Sequence, residues 1–496
     1  MPINRLWGRN TIQSWQWSES LKRLSPDASS LSLLYAPVID RALVFAMVHL
    51  YYWLAASLAV SASNLHSITR HRLQLIPPPS NDPFYAVPGN IDAFAPGDII
   101  KHREPPSRIS AFGWTPTHVQ KAYQILYRTT DSQKNPTSAV LTALIPPDAD
   151  YNKVVSLQMA EDSATIDCGP SYTMLLSAQQ NPLLTSNITQ LQLLVAETAL
   201  AKKWIVIVPD HEGPKGSFTA SKMTGHAILD GIRAALQSNH ITGIGSNPKI
   251  GLWGYSGGGA ATQIAVEMQE YYAPELEIAG AAMGGLSSLT KASDIFSINK
   301  GPSAELIPAA LLGLASQHPE LQKSIDQSLK PEWREYFYTP LHQCLQESTL
   351  LFLYQDVLGM FHNESIPGLT AELTKAWDDE TEHRASKIKA PLYVYQSVVD
   401  HLSSIEGIDA LVRNYCNQGF NVHYERANSP NLSHVKYGIL GVPGAVSWLQ
   451  DRLDGKEASR GCLYHTDATS TLDPSMAALY PMNISYALYG VVSSSV

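Results

Sequence analysis

Ser256 stands among small neighbours, in Gly254-Tyr255-Ser256-Gly257-Gly258, a Gly-x-Ser-x-Gly pattern. The apolar run 249–254 before it reads as a strand, and residues 258–272 after it read as a helix. A strand that turns directly into a helix holds a serine hydroxyl clear of the chain, and the turn is so tight that the adjoining residues must be small. Gly254, Gly257, Gly258, Gly259 and Ala260 meet that demand. A glycine-rich turn without chemistry is the competing reading, and the flanking strand and helix count against it. The chemistry expected is nucleophilic attack, with the helix N-terminus favouring the negative charge that develops.

A serine nucleophile needs a base, and the base needs an acid to orient it. Asp400 follows the apolar run PLYVYQSVV directly, whereas Asp409 falls inside the next helix and is a poorer choice. His401 adjoins Asp400 and is expected to point elsewhere. His423 lies within a strand and His465 in the tail, but His434 sits in a loop between the strand NVHYERA and the closing helix. Ser256, Asp400 and His434 are therefore the expected nucleophile, acid and base; an ordinary surface histidine is the competing reading of His434. Two backbone N–H groups must face the tetrahedral oxygen. Gly257 supplies one, and Asp162, in the loop after KVVSLQM, is the candidate for the other. A structural aspartate capping a helix would look the same.

These residues require a scaffold that brings distant loops to one edge. Residues 121–130 and 138–145 read as an early antiparallel pair. Short apolar strands at 153–159, 204–209, 249–254 and 276–283 alternate with helices at 185–202, 226–238 and 258–272. Continuous apolar strands separated by helices indicate a parallel sheet covered on both faces. The rhythm breaks near 286, turns helical, and resumes as strand at 390–399 and 421–427, with a helix over 442–453. The expected division is a leader over 1–75, a core over 76–286 and 387–455, an inserted helical cap over 287–386, and a tail over 456–496 that lies on the core with little regular pattern. Within the cap, Ala304 to Ala315 is almost wholly apolar. It reads either as cap core or as a lid facing substrate and a lipid surface, with Pro308 breaking or bending it.

Across 496 residues, 44% are hydrophobic and 16% charged, so the chain can bury a core and is not disordered. The net charge of −9 argues against nucleic-acid binding. The cysteines, Cys168, Cys344, Cys416 and Cys462, show no zinc spacing, and neither metal nor cofactor is expected. Their even number suggests two disulfides in an oxidising compartment, or else buried free thiols. The uncharged run 42–62 is long enough to span a bilayer, and Arg5, Arg9, Lys22, Arg23 and Arg41 precede it. It reads as a signal anchor, as a secretory signal starting at Met47 and ending in the small residues 60–62, or as a buried helix. The first two readings place the rest outside the cytoplasm. Sequons at Asn187, Asn363, Asn431 and Asn483 agree with that.

The segments AEDSATIDCGPSY (160–172), VPDHEGPKGSFTASKMTGHAILDGIRAAL (208–236) and GYSGGG (254–259) together resemble the fungal secretory lipase family of the lipase A type, over about residues 75–455. The resemblance implies an α/β-hydrolase fold with a central, mostly parallel sheet and an inserted helical cap or lid. It implies Ser256 as nucleophile, Asp400 as acid, His434 as base, and an oxyanion hole at Asp162 and Gly257. It also implies a Cys168–Cys344 disulfide, which leaves Cys416 with Cys462; four cysteines allow three pairings. The function that follows is a secreted serine hydrolase of carboxylic esters, a lipase or carboxylesterase. Its expected partner is an ester, with a lipid–water interface as one place of encounter, and a monomer is expected. A metabolite deacetylase or acyltransferase on the same fold is the alternative. A serine peptidase and a non-catalytic surface protein are weaker competitors, the last because all three residues of the triad are present.

Overall fold

The computed structural model describes residues 76–467, apart from 113, 114, 118, 288–290 and 383–386. The run 42–62, the rest of the leader, Asn483 and the tail from 468 lie outside the described residues.

The main strands are β1 (Ile99–Arg103), β2 (Lys121–Thr130), β3 (Pro136–Ile145), β4 (Asp150–Gln158), β5 (Trp204–Pro209), β6 (Lys249–Tyr255), β7 (Ile278–Gly284), β8 (Leu392–Ser397), β9 (Val422–Ala427) and β10 (Cys462–Asp467). Among the described residues they form one ten-stranded sheet in the order β1-β2-β3-β5-β4-β6-β7-β8-β9-β10. The β1–β2, β2–β3 and β3–β5 pairs are antiparallel, and every pair from β5 to β10 is parallel. The parallel strands read as unbroken apolar runs because both faces are covered. Along β5, Trp204, Val206 and Val208 enter one core while Ile205 and Ile207 enter the other. The alternation is that of a pleated strand.

Helices α1 (Asn187–Ala201), α2 (Ser221–Gln237) and α3 (Gly257–Tyr272) connect the first strands. Between β7 and β8 the chain is largely helical, with α4 (Leu306–Ala315), α5 (Pro319–Ser328), α6 (Leu345–Phe352) and α7 (Ile366–Thr381). Then follow α8 (Ile405–Asn417), α9 (His434–Leu440) and α10 (Val442–Leu453). Helices α1 and α10 cover one face of the sheet, with α2 and α3 on the other.

One of the two readings of the run 304–315 is taken, and two further local expectations change. Helix α4 is not a lid surface: Leu311 and Leu314 are 0% and 1% exposed, and the helix is buried on nearly every side. Gly313 lies against the Phe218 backbone, and Thr219 Oγ1 donates to the Ala310 carbonyl at 3.2 Å, so the core loop seals one flank. Pro308 neither breaks nor bends it, because it falls in the first turn, where no intrahelical N–H bond is lost. The tail is not wholly irregular: Cys462–Asp467 pairs in parallel with β9 as the sheet's last strand. The Cys416–Cys462 disulfide fastens it to α8, and the Cys168–Cys344 disulfide joins the region after β4 to the start of α6.

Candidate active site

The turn from β6 into α3 puts Ser256 at φ 57° and ψ −126°, a conformation that residues with a Cβ rarely adopt. Small neighbours make it possible. A Cβ on Gly254 would collide with the Gly258 carbonyl, and one on Gly258 with the Gln158 carbonyl at the end of β4. The helix start thus lies directly against two strand ends, and the hydroxyl projects at the carboxyl edge of the parallel strands, where such sheets place their ligands.

Asp400 and His434 reach the same edge from β8 and β9. His434 Nε2 lies 2.8 Å from Ser256 Oγ, and its Nδ1 lies 2.7 Å from Asp400 Oδ2. Asp400 Oδ2 also accepts from Gln396 Nε2 at 3.0 Å, and Oδ1 accepts the Leu402 N–H at 2.9 Å. His434 is not in a loop but opens α9, because the Ser433 side chain accepts the Lys436 N–H and caps that helix. The Tyr255 hydroxyl donates to the His434 carbonyl at 2.7 Å, fixing the backbone from which the imidazole hangs. His401 does not point away: its ring meets that of His434 edge-on at 6.2 Å, and its pKa is lowered by burial and by His434. Asp409 accepts instead from Tyr424 at 2.8 Å, and His465 Nδ1 faces Glu425 at 2.7 Å on the far strands. His423, also on β9, packs its ring edge-on against Tyr393, so the structure brings neither distant histidine to Ser256.

Asp162 lies beside Gly257, in a left-handed conformation with φ 46°. Behind it a group of buried acids joins the β4 and β5 loops. Burial pushes Asp162 up to about 6, with His434 pulling it back, and pushes Asp210 up to about 7. Glu161 and Glu212 stand well above the usual carboxylate range, again through burial first and then through their neighbours: Glu212 and Asp210 act on Glu161, and Asp162 acts on Glu212. Glu161 accepts the His211 N–H at 2.7 Å, and Glu212 accepts the Ser163 N–H at 3.3 Å, with the Asp162 backbone leaning on the same carboxyl. The cap adds Glu305, raised to about 7 by burial, whose Oε2 is buried without a hydrogen-bond partner. None of this cluster except Asp162 was singled out in the sequence.

Asn187, Asn363 and Asn431 are exposed. Among the described residues, His318, Asp379 and Glu380 could gather around a cation, but Lys222 already binds two of them, with Nζ 2.8 Å from Asp379 and its N–H 2.6 Å from Glu380.

The sheet order and the strand–serine–helix turn define an α/β-hydrolase. Residues 178–461 match the secretory lipase family. Lipase A of Arthroderma benhamiae is 38% identical over 400 residues, which is 80% of this chain and 84% of that protein. Lipase 6 of Candida albicans is 33% identical over 429 residues, 84% of this chain and 90% of its own. The crystal structure of Candida antarctica lipase A superposes with a TM-score of 0.70 at 27% identity, covering 84% of this chain and 95% of the other. The chain belongs to the secretory lipase family, and with it to the carboxylic ester hydrolases.

Proposed function

We propose that this protein is a secreted serine hydrolase that cleaves carboxylic esters, acylglycerols among them, through an acyl-enzyme on Ser256. The observation that carries the reading is the continuous hydrogen-bond line from Ser256 Oγ to His434 Nε2 and from His434 Nδ1 to Asp400 Oδ2, at 2.8 and 2.7 Å. Ser256 Oγ attacks the ester carbonyl carbon as His434 Nε2 takes the hydroxyl proton. The oxyanion is met by the Gly257 N–H, which begins a helix and has no intrahelical acceptor. The Asp162 N–H is the second donor, and its availability depends on how strongly the neighbouring Glu212 carboxyl holds it. The carbon–alkoxy bond breaks as His434 gives its proton to the leaving alcohol. Water then loses a proton to His434 and attacks the acyl carbon, and Ser256 regains its hydrogen as the acid leaves.

An extracellular location is supported by the family, by two disulfides and by three exposed sequons. No helix among the described residues is long and apolar enough to cross a membrane.

The test is a panel of p-nitrophenyl esters of rising chain length beside a triglyceride emulsion, a metabolite acetate and a peptide amide. Ester hydrolysis that disappears in Ser256→Ala, with a fluorophosphonate attached at Ser256 alone, is the expected result; loss of the nucleophile costs about 10⁶ in kcat. Turnover of peptide but not ester overturns the reading, and turnover of acetates alone restricts it to deacetylation.

A further inference from the structure

Gln396 is a wholly buried amide near the carboxyl end of β8. A buried amide needs partners for both of its ends. Its orientation is fixed by its surroundings: the Leu286 N–H, 2.9 Å away, can only donate, so the Gln396 carbonyl oxygen must face it. The amide nitrogen therefore faces Asp400 Oδ2, at 3.0 Å, the same oxygen that His434 Nδ1 meets at 2.7 Å. Leu286 lies two residues beyond β7, where the chain leaves the sheet for the helical segment.

We propose that Gln396 is a positioning residue for the acid–base pair, its amide fixing Asp400 Oδ2 towards His434 and anchoring that oxygen to the root of the cap at Leu286. The proposal rests on the reading of Ser256, Asp400 and His434 as the reacting group. With the amide in place, Asp400 has donors on both oxygens and cannot rotate without losing one. Without it, Oδ2 keeps only the imidazole as a partner, and the Leu402 N–H on Oδ1 is left to resist a turn out of the imidazole plane. The groups that face His434 are Asp400 and His401 from the loop after β8, Asp162 from the loop after β4, and Tyr255 from the end of β6. Gln396 touches none of the reacting atoms and acts only through Asp400.

The experiment compares Gln396→Met and Gln396→Glu with the unaltered protein and with Ser256→Ala. Gln396→Met keeps length and volume but loses both hydrogen bonds. It should lower kcat about ten- to a hundredfold with KM little changed, and slow fluorophosphonate labelling of Ser256 by the same factor. Gln396→Glu sets a buried carboxyl against Asp400; burial and the neighbouring charge keep it protonated in neutral solution, where it can still donate to Asp400 Oδ2, so activity should be retained there and fall on the alkaline side as that proton is lost. A residue that only supports the fold lowers Tm without moving either readout. If both variants keep the original kcat and pH profile while Ser256→Ala is inactive, this inference falls and the triad reading stands. Activity in Ser256→Ala would instead sink the triad reading. Should Gln396→Met fail to fold, the nearly isosteric Gln396→Glu decides the matter through its pH profile.

Discussion

The carboxyl group of Asp162 fills the space that a Cβ on Gly257 would need. Glycine at 257 is thus required by a neighbour from another loop as well as by the tightness of its own turn. Gly257→Ala should push Asp162 aside and spoil both proposed sources of oxyanion stabilisation at once. The expected loss in kcat is about a hundredfold or more, while the overpacking costs about 1–3 kcal/mol. Steady-state kinetics on a soluble ester beside thermal melts will separate the two effects; a variant with unchanged kcat would remove Asp162 and Gly257 from the reaction.

Asp400→Asn replaces an acceptor with an amide whose NH₂ group can face the imidazole. His434 would then present the wrong tautomer to Ser256. A loss of about 10⁴ in kcat is expected, with the fold retained. Measuring kcat and the melting temperature of the same preparation checks it.

The buried acids give stability a definite pH dependence. Asp162 is raised to about 6 and Asp210 to about 7, and burial holds Glu161 and Glu212 well above the usual carboxylate range. Each keeps a proton in the folded chain at a pH where the unfolded chain has released it. Their contribution is complete below about pH 4 and drains away as pH climbs towards 6 and 7. His211 and His226, lowered by burial from 6.5 to about 4, act in the opposite sense, and their contribution is lost as pH falls across that interval. The raised acids outnumber the lowered histidines, so the melting temperature should fall as pH rises from about 4 towards 7. Glu212→Gln, which cannot ionise, should flatten that fall; an unchanged slope would mean that these acids do not titrate as a group.

Leu311 is fully buried on α4. Leu311→Ala should cost about 2–5 kcal/mol by leaving a cavity. It should lower activity on a long-chain emulsion and on a soluble acetate to the same extent. A selective loss on the emulsion would return α4 to the role of a lipid-facing lid.

The parts of the site that the sequence made legible are those where one residue type is demanded locally. The glycines around Ser256 are such a case, since Gly254, Gly258 and Gly259 are each forced by a backbone carbonyl and Gly257 by the Asp162 carboxyl. Asp400 and His434 could be reached because chain order and strand ends restrict the choice. Gln396 left a trace, a polar letter inside LYVYQS, but its partners lie just beyond β7 and beyond β8 and only the folded sheet brings them together. The acid cluster was hidden for a similar reason. Glu161 and Asp162 follow β4, Asp210 and Glu212 follow β5, and the two loops meet because those strands are neighbours in the sheet. For α4 the apolar pattern fitted both lid and core, and the choice was made by a loop at 217–220 that closes over it. The strand Cys462–Asp467 carries little apolar alternation of its own and is held by a covalent bond to α8.

The Cys168–Cys344 bond spans 176 positions of sequence, the Cys416–Cys462 bond only 46. In a chain delivered N-terminus first into a thiol-oxidising compartment, Cys168 arrives alone and waits while β5, β6, β7 and the Ser256 turn are threaded after it. Cys344 is the first partner it meets, and Cys416 and Cys462 are still to come. Once the first bond closes, the later two cysteines have only each other. In such a chain the order of synthesis and the observed pairing agree, and the bond that ties β10 to α8 is the last one available to close.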